Sequence, residues 1–171
     1  CGGEYKDPLN RRYHAEPISC PNCGPKLYLK DKFGKVLASV NEAAKEAAKL
    51  INEGKILAIK GLGGFHLVCD ATNEAAVSEL RARKHRPSKP FALMSKNLEN
   101  ARKIAKISEA EARLLSSNLK PIVLLEAKSD SNIAKSVAPN LNKLGVMLAF
   151  SGIHLLLFDY LKHDIIATSA N

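Results

Sequence analysis

From position 41 onward the apolar residues switch between a helical and an extended rhythm. Ala44, Ala47, Ala48 and Ile51 recur at the three- and four-residue spacing of one helix face, predicting a helix over 41–52 that Gly54 stops. A strand over 55–60 follows, then the turn Gly61-Leu62-Gly63-Gly64, then a second apolar strand over 65–69. Asn73 is placed to cap a helix over 73–83 whose Ala76, Val77 and Leu80 face a core. Beyond it the pattern predicts a strand over 91–94 and two short helices over 98–105 and 108–116, the second with Ser108 and Glu111 at capping-box spacing. A strongly apolar strand over 121–126, an extended segment over 145–150, a helix over 153–161 and a strand over 164–167 complete the series. No internal repeat or low-complexity segment interrupts it. Strands alternating with helices predict an α/β (α+β) fold, a mixed sheet with flanking helices.

Composition narrows the class. A chain of 171 residues with 46% hydrophobic content can bury one good core beside a small satellite module. Lys and Arg outnumber Asp and Glu by 26 to 17, a formal charge of +9, so anionic partners are expected: phosphorylated small molecules or nucleic acid. Basicity suggests a double-stranded RNA-binding module as the non-enzyme alternative, which aromatics of only 5% with no Trp, and no aromatic-basic interleaving for stacking, count against. Apolar runs such as 122–125 and 155–158 are far too short to cross a bilayer and no signal-peptide pattern opens the chain; a cytoplasmic protein with no membrane partner is expected. The chain opens at Cys1 without an initiator methionine and stops soon after Ile165-Ile166-Ala167, so a fragment of a longer polypeptide is expected.

The chemistry concentrates between Lys60 and Met94. Small residues in the turn 61–64 let an anion approach backbone amides. Twenty residues later Arg81, Arg83, Lys84, Arg86 and Lys89 crowd into nine positions, and Pro87 and Pro90 stop any helix from carrying them apart. Singly, a glycine turn or a basic helix end is commonplace. In this order they form a layout for holding a polyphosphate, with Lys84, Arg86 and Lys89 as its cations, Arg83 contributing, Arg81 on the surface, and Lys60 beside the turn. His66 alternates with Phe65 and Leu67 and so points the opposite way, toward a pocket, with core packing the alternative. His85 and His163 read as surface residues.

The cysteines define a second module. Cys1, then Cys20-Pro21-Asn22-Cys23 with Gly24 and Pro25, forms a C-x2-C knuckle that can turn sulfurs toward one ion. A tetrahedral structural zinc needs a fourth ligand; another cysteine before Cys1 is expected, with His14 as the fallback, and a disulfide or idle thiols are the alternatives. Cys69, behind Leu67-Val68, reads as a buried core residue.

These motifs resemble a known family. Cys1-Gly2-Gly3-Glu4-Tyr5-Lys6-Asp7-Pro8, then Arg11-Arg12-Tyr13-His14-Ala15-Glu16-Pro17 and Cys20-Pro21-Asn22-Cys23, are similar to the second zinc finger of the HypF carbamoyltransferases of [NiFe]-hydrogenase maturation. From Leu29 onward the chain resembles their YrdC-like domain, which is related to the threonylcarbamoyl-adenylate synthases of tRNA modification; Lys84-x-Arg86 and Ser169-x-Asn171 are motifs of that superfamily. The resemblance implies a partial zinc finger over 1–28 and a YrdC-like twisted mixed sheet over 29–171. It implies zinc on Cys1, Cys20, Cys23 and a cysteine three positions before Cys1. It further implies that carbamate derived from carbamoyl phosphate is condensed with ATP, carried with Mg2+, to carbamoyl-adenylate and pyrophosphate. The carbamoyl group then passes to the C-terminal cysteine of HypE, where it becomes the cyanide ligand of the hydrogenase iron.

In that chemistry charge builds on the phosphoryl oxygens and the departing pyrophosphate, so Lys84 and Arg86 are the candidate catalytic cations. Lys60, Gly63, Gly64, His66, Arg83, Lys89, Ser151, His154, Ser169 and Asn171 are the candidate ATP and carbamoyl-adenylate ligands, Ser169 and Asn171 offering short polar groups after a buried strand. No dedicated carboxylate cage for Mg2+ is visible. Where the family has Pro-Tyr-Thr-Pro-Leu-His, this chain has Ala149-Phe150-Ser151-Gly152-Ile153-His154, losing a phenol and two prolines. A threonylcarbamoyl-adenylate synthase is the enzymatic alternative, disfavoured by the cysteine module and by Gly61-Leu62-Gly63-Gly64-Phe65-His66 in place of that branch's threonine-rich turn.

Overall fold

In a computed structural model the chain is described over residues 1–15 and 24–170, so Cys20, Cys23 and Asn171 lie outside the described residues. It divides into two compact units, 1–43 and 44–171.

The first unit begins with the one-turn helix α1 (Gly2–Lys6), which the sequence pattern did not predict. Arg12 pairs with Glu4 at 3.1 Å, and the His14 ring stacks on Tyr5 and Tyr13 at 5.0 and 4.1 Å. A two-stranded antiparallel sheet follows, β1 (Tyr28–Lys30) and β2 (Val36–Ser39), also unpredicted. Asp31 closes its turn by accepting from the amides of Phe33 and Lys35 at 2.8 and 3.0 Å. Strands this short carry almost no period-2 signal, which is why the pattern missed them.

Helix α2 (Asn41–Asn52) leads into the second unit, where its Ala44, Ala47, Ala48 and Ile51 are buried as their spacing requires. Gly54 ends it at φ +78°, donating its amide to Ile51; a Cβ there would lie 2.9 Å from the Asn73 side chain. The chain continues through β3 (Leu57–Lys60), β4 (Phe65–Asp70), α3 (Glu74–Arg83), β5 (Ala92–Ser95), α4 (Leu98–Ile104), β6 (Ala105–Lys106), α5 (Glu109–Ser116), β7 (Val123–Ala127), a 3-10 turn (Lys135–Val137), β8 (Lys143–Leu148), α6 (Gly152–Phe158) and β9 (Ile165–Ser169). Asn73 caps α3 by accepting from Ala76, and the Ser108–Glu111 capping box opens α5 as predicted.

The seven strands of this unit form one mixed sheet in the order β3-β4-β9-β5-β8-β7-β6. Strand β9 runs antiparallel to both neighbours, with His66 opposite Ser169 on β4 and Leu93 opposite Ile166 on β5. Among the described residues only β5 and β8 pair in parallel. On one face Cys69, Leu93, Ile166, Val146 and Leu125 pack with Val77 and Leu80 of α3, Ile104 of α4 and Leu115 of α5. Cys69 is fully buried there, and burial pushes its thiol up to about 12.

Because Leu93 has no exposed surface and sits between β9 and β8, Leu93→Ala is expected to cost about 3 kcal/mol, a cavity effect, whereas Ser108→Ala, which removes only a cap, should cost about 1 kcal/mol. Urea unfolding of the two variants checks the ranking.

Candidate functional site

The basic segment is held by the end of α3. Lys84 is the last helical-type residue, His85 turns left-handed at φ +48°, and the amides of His85 and Arg86 bond back to the carbonyls of Ala82 and Arg81 at 3.1 Å each. That is a Schellman closure with histidine where glycine is usual. It throws the chain out of the helix between the two cations of the Lys-x-Arg pair, and Pro87 and Pro90 keep the following residues extended toward β5. Cations here also face the negative end of the α3 dipole.

The result is a cleft of about 540 Å³ lined by Leu67, Arg83, Lys84, His85, Arg86, Lys89, Ser169 and Ala170. Its size lies in the range of small-molecule sites. Lys84 Nζ donates to the Ser169 carbonyl at 2.6 Å, joining the Lys-x-Arg and Ser-x-Asn motifs across 85 positions of sequence. Arg86 donates from Nε to the Lys89 carbonyl at 3.0 Å and from Nη2 to the Pro90 carbonyl at 2.6 Å, and lies 5.0 Å from the Phe91 ring centre. Arg83 and Lys89 are exposed at the rim, Arg83 paired to Glu79 at 2.6 Å. Such an exposed helix pair is weak and easily exchanged for a phosphate. Four cations beside a strand-end carbonyl can neutralise a polyphosphate. A second cleft of about 360 Å³, lined by Lys135, Ser136 and residues 138–141, brings in a single cation, Lys135.

Other candidates fall elsewhere. Lys60, Gly63 and Gly64 belong to the β3–β4 hairpin and do not line the cleft; Lys60 Nζ lies 5.1 Å from the Phe65 ring centre. The hairpin turn is closed by the Gly61 amide bonding to the Gly64 carbonyl at 2.7 Å, so that amide is not the free anion ligand the glycine pattern suggested. Added Cβ atoms at Gly63 and Gly64 would meet nothing within 4 Å, so the turn does leave open space.

His66 alternates away from Leu67 and joins a cluster of its own. Its ring lies 5.9 Å from His154 and 6.4 Å from Phe150, and Phe150 lies 4.8 Å from His154. His154 is completely buried, and its Nδ1 is bonded to the Ser151 hydroxyl at 2.9 Å. Burial, reinforced by His66, pushes its pKa down to about 4, so it is neutral at physiological pH. His66 Nδ1 and His154 Nε2 are both buried with no hydrogen-bond partner among the described residues. Two stacked imidazoles with unpartnered ring nitrogens, His66 standing opposite Ser169 on the neighbouring strand, can receive a small polar group.

His85 is exposed, as expected, although it also lines the cleft; two other surface assignments are corrected. His163 is half-buried, donating toward Asp70 at 3.1 Å and bonded to Asn52 at 2.8 Å. Arg81 is half-buried and bonded along the backbone rather than solvated, because its guanidinium meets the chain returning from Ser136. Of the predicted metal ligands only Cys1 is described, and it is exposed.

Comparison with known proteins follows the same division. The telomere recombination family (Sua5/YciO/YrdC) matches residues 49–171, and the HypF finger matches residues 1–30. The chain belongs to the Sua5/YciO/YrdC family, in the branch that carries a HypF finger ahead of that domain. It is 47% identical to the carbamoyltransferase HypF of Rhodobacter capsulatus over 171 residues, which is all of this chain and 22% of that protein. The crystal structure of full-length HypF in its phosphate- and nucleotide-bound form superposes with a TM-score of 0.85 at 42% identity, covering all of this chain and 22% of that one. Pyrococcus abyssi Sua5 complexed with L-threonine superposes with a TM-score of 0.69 at 25% identity, over 77% of this chain and 39% of that one. The chain thus spans about a fifth of the length of the HypF relatives it matches. These comparisons give the RNA-binding alternative no support. No helix among the described residues is long and apolar enough to cross a membrane.

Because the folded His154 titrates near 4 and an unfolded histidine near 6.5, stability should be fully present above about pH 6.5 and fall as the pH drops toward 4. Asp164 acts in the opposite sense, since burial pushes its carboxyl up. The test is therefore differential: urea midpoints measured between pH 7 and 4.5 should fall less for His154→Leu than for the unmodified chain.

Proposed function

We propose that the second unit binds ATP with its polyphosphate in the basic cleft and condenses it with carbamate. A carbamate oxygen attacks the α-phosphorus, the new C–O–P linkage forms, and the bond to the β-phosphate breaks, leaving carbamoyl-adenylate and pyrophosphate. The observation that carries this reading is the Lys84 ammonium bonded to the Ser169 carbonyl in a cleft it shares with Arg83, Arg86 and Lys89. Cations so placed neutralise charge that grows on the equatorial oxygens and the leaving group, where most of the catalysis of phosphoryl and nucleotidyl transfer resides. Arg86 retains an Nη1 free of protein bonds among the described residues, and Lys84 can exchange a carbonyl for a phosphate oxygen. Ser169 and Asn171 supply neutral ligands, and Mg2+ accompanies the nucleotide. Lys60, Gly63 and Gly64 are nucleotide ligands from the β3–β4 turn, where the two glycines leave open space beside the backbone.

The paired imidazoles are assigned to the carbamoyl end. A neutral His154, oriented by Ser151, and His66 beside it accept or donate one hydrogen bond each, which suits the amide-like nitrogen and oxygen of carbamate. In the complete protein, carbamoyl phosphate is the source of carbamate and HypE the acceptor of the carbamoyl group. The first unit holds a structural zinc through Cys1, Cys20, Cys23 and a further cysteine; the exposed thiol of Cys1 and the all-sulfur donor set fit that ion. A threonine-dependent reaction, forming threonylcarbamoyl-adenylate in the same cleft, is the second reading, suggested by the threonine complex of the Sua5 structure.

ATP–pyrophosphate exchange distinguishes them. Exchange that depends on carbamoyl phosphate or carbamate, and falls by about 100-fold or more in Lys84→Ala and Arg86→Ala, is the expected outcome. Exchange driven by threonine plus bicarbonate selects the second reading, and none with any of these substrates removes the adenylation mechanism.

A further inference from the structure

Among the cations of the basic segment, Arg81 differs from the rest in how its donors are used. A guanidinium has five N–H groups, and those of Arg81 all meet backbone carbonyls. Nε and Nη2 donate to Ser136 at 3.0 and 2.6 Å, Nη2 also reaches Val137 at 3.4 Å, and Nη1 donates to Arg86 at 2.5 Å and Lys89 at 3.2 Å. Its plane lies 4.8 Å from the centre of the Phe91 ring, the same ring that Arg86 approaches at 5.0 Å. Phe91 is itself buried, and its amide bonds to the Val137 carbonyl at 2.9 Å. Nothing is left on Arg81 to touch a ligand. What it does instead is hold carbonyls: those of Arg86 and Lys89, on the segment that carries the cleft's cations, and those of the 3-10 turn against which that segment rests.

We propose that Arg81 is a positioning residue of the cleft, which turns the carbonyls of Arg86 and Lys89 inward and thereby fixes the segment that presents Arg86 and Lys89 to a polyphosphate. This rests on reading the cleft as a polyphosphate site. The physical case is one of dipoles as well as geometry. A carbonyl released from Arg81 would seek water, and the nearest water fills the cleft; its negative end would then face the phosphates that the side chains attract. Arg86 would lose register at the same time, because its own bonds run to the carbonyls of Lys89 and Pro90 in the same loop. Lysine cannot replace Arg81: one ammonium carries the charge but cannot span Ser136 on one side and Arg86 on the other.

The test uses pyrophosphate as the probe, with the 171-residue chain, by calorimetry, alongside hydrogen exchange of amides 85–91. Arg81→Lys should weaken pyrophosphate by about tenfold or more, the scale of a lost charge-assisted hydrogen-bond pair, and speed exchange across the segment. Glu74→Ala is the control: Glu74 ties α3 to Ser136 from the other side without reaching the cation segment, so it should lower stability while leaving pyrophosphate affinity unchanged. In the double variant Arg81→Ala with Arg86→Ala, the losses should be smaller than the product of the single ones, because Arg81 acts through Arg86. Unchanged affinity in Arg81→Lys, or losses that multiply and merely track the unfolded fraction, would overturn the inference while leaving the cleft reading intact. Failure of the unmodified chain to bind pyrophosphate would instead overturn the cleft reading and the ligand consequence together, with the exchange data still deciding whether Arg81 clamps the segment.

Discussion

Everything at the candidate site depends on β9 entering the sheet between β4 and β5. The strand is far in sequence from both neighbours, yet its five residues supply the backbone bonds that β4 and β5 would otherwise lack, and Ile165 and Ile166 lose all exposure in the process. The hydrophobic and hydrogen-bond gains are made together, since a central strand buries both faces as it pairs. Once Ile166 is opposite Leu93 and Cys69, the register leaves no choice for the rest: Ser169 must stand opposite His66, and the carbonyl of Ser169 must emerge where the Lys84 ammonium can reach it. Two short motifs become one site through a single strand insertion.

The site that results separates charge from neutrality. The cations gather at the C-terminal end of α3, half-buried or exposed, where water and carbonyls pay part of the cost of crowding positive groups. The guanidiniums of Arg81 and Arg86 tolerate each other because a shared aromatic ring and a row of carbonyls offset their repulsion, although Arg81 is still held below the ordinary arginine range, by burial first and by Arg86 second. The imidazoles take the opposite course. His154 is buried beyond the reach of solvent, which keeps it uncharged and leaves its Nε2 as a directional group rather than an ion. A polyanion and a neutral polar group ask for these two environments respectively.

How much of this was legible in the residues can be judged element by element. The α3 cap at Asn73, its apolar face and its stop before Pro87 were readable because each is a local matter of spacing and dihedral preference. The β1–β2 hairpin, β6 and the 3-10 turn were not, being too short for periodicity to register. Lys84, Arg86 and Lys89 were recognised as a group from their crowding and the prolines behind them. Arg81 was assigned to the surface because a helical arginine one turn earlier looks solvated; its burial comes from residues 136 and 137, which arrive from more than fifty positions away. The grouping of His66 with His154 was equally hidden, since alternation left His66 open between a pocket and core packing and its companion comes from α6.

The sequence by itself determined which residue types stand where: the alternation of helices and strands, the cation cluster and the two short motifs, all of them set by interactions within about ten positions. The tertiary structure alone decided which of these meet. Strand order and register are settled by the burial of side chains such as Ile166 and Leu93 against partners remote in the chain, so the joining of Lys84 to Ser169, the saturation of Arg81 and the sealing of His154 exist only once the sheet has closed.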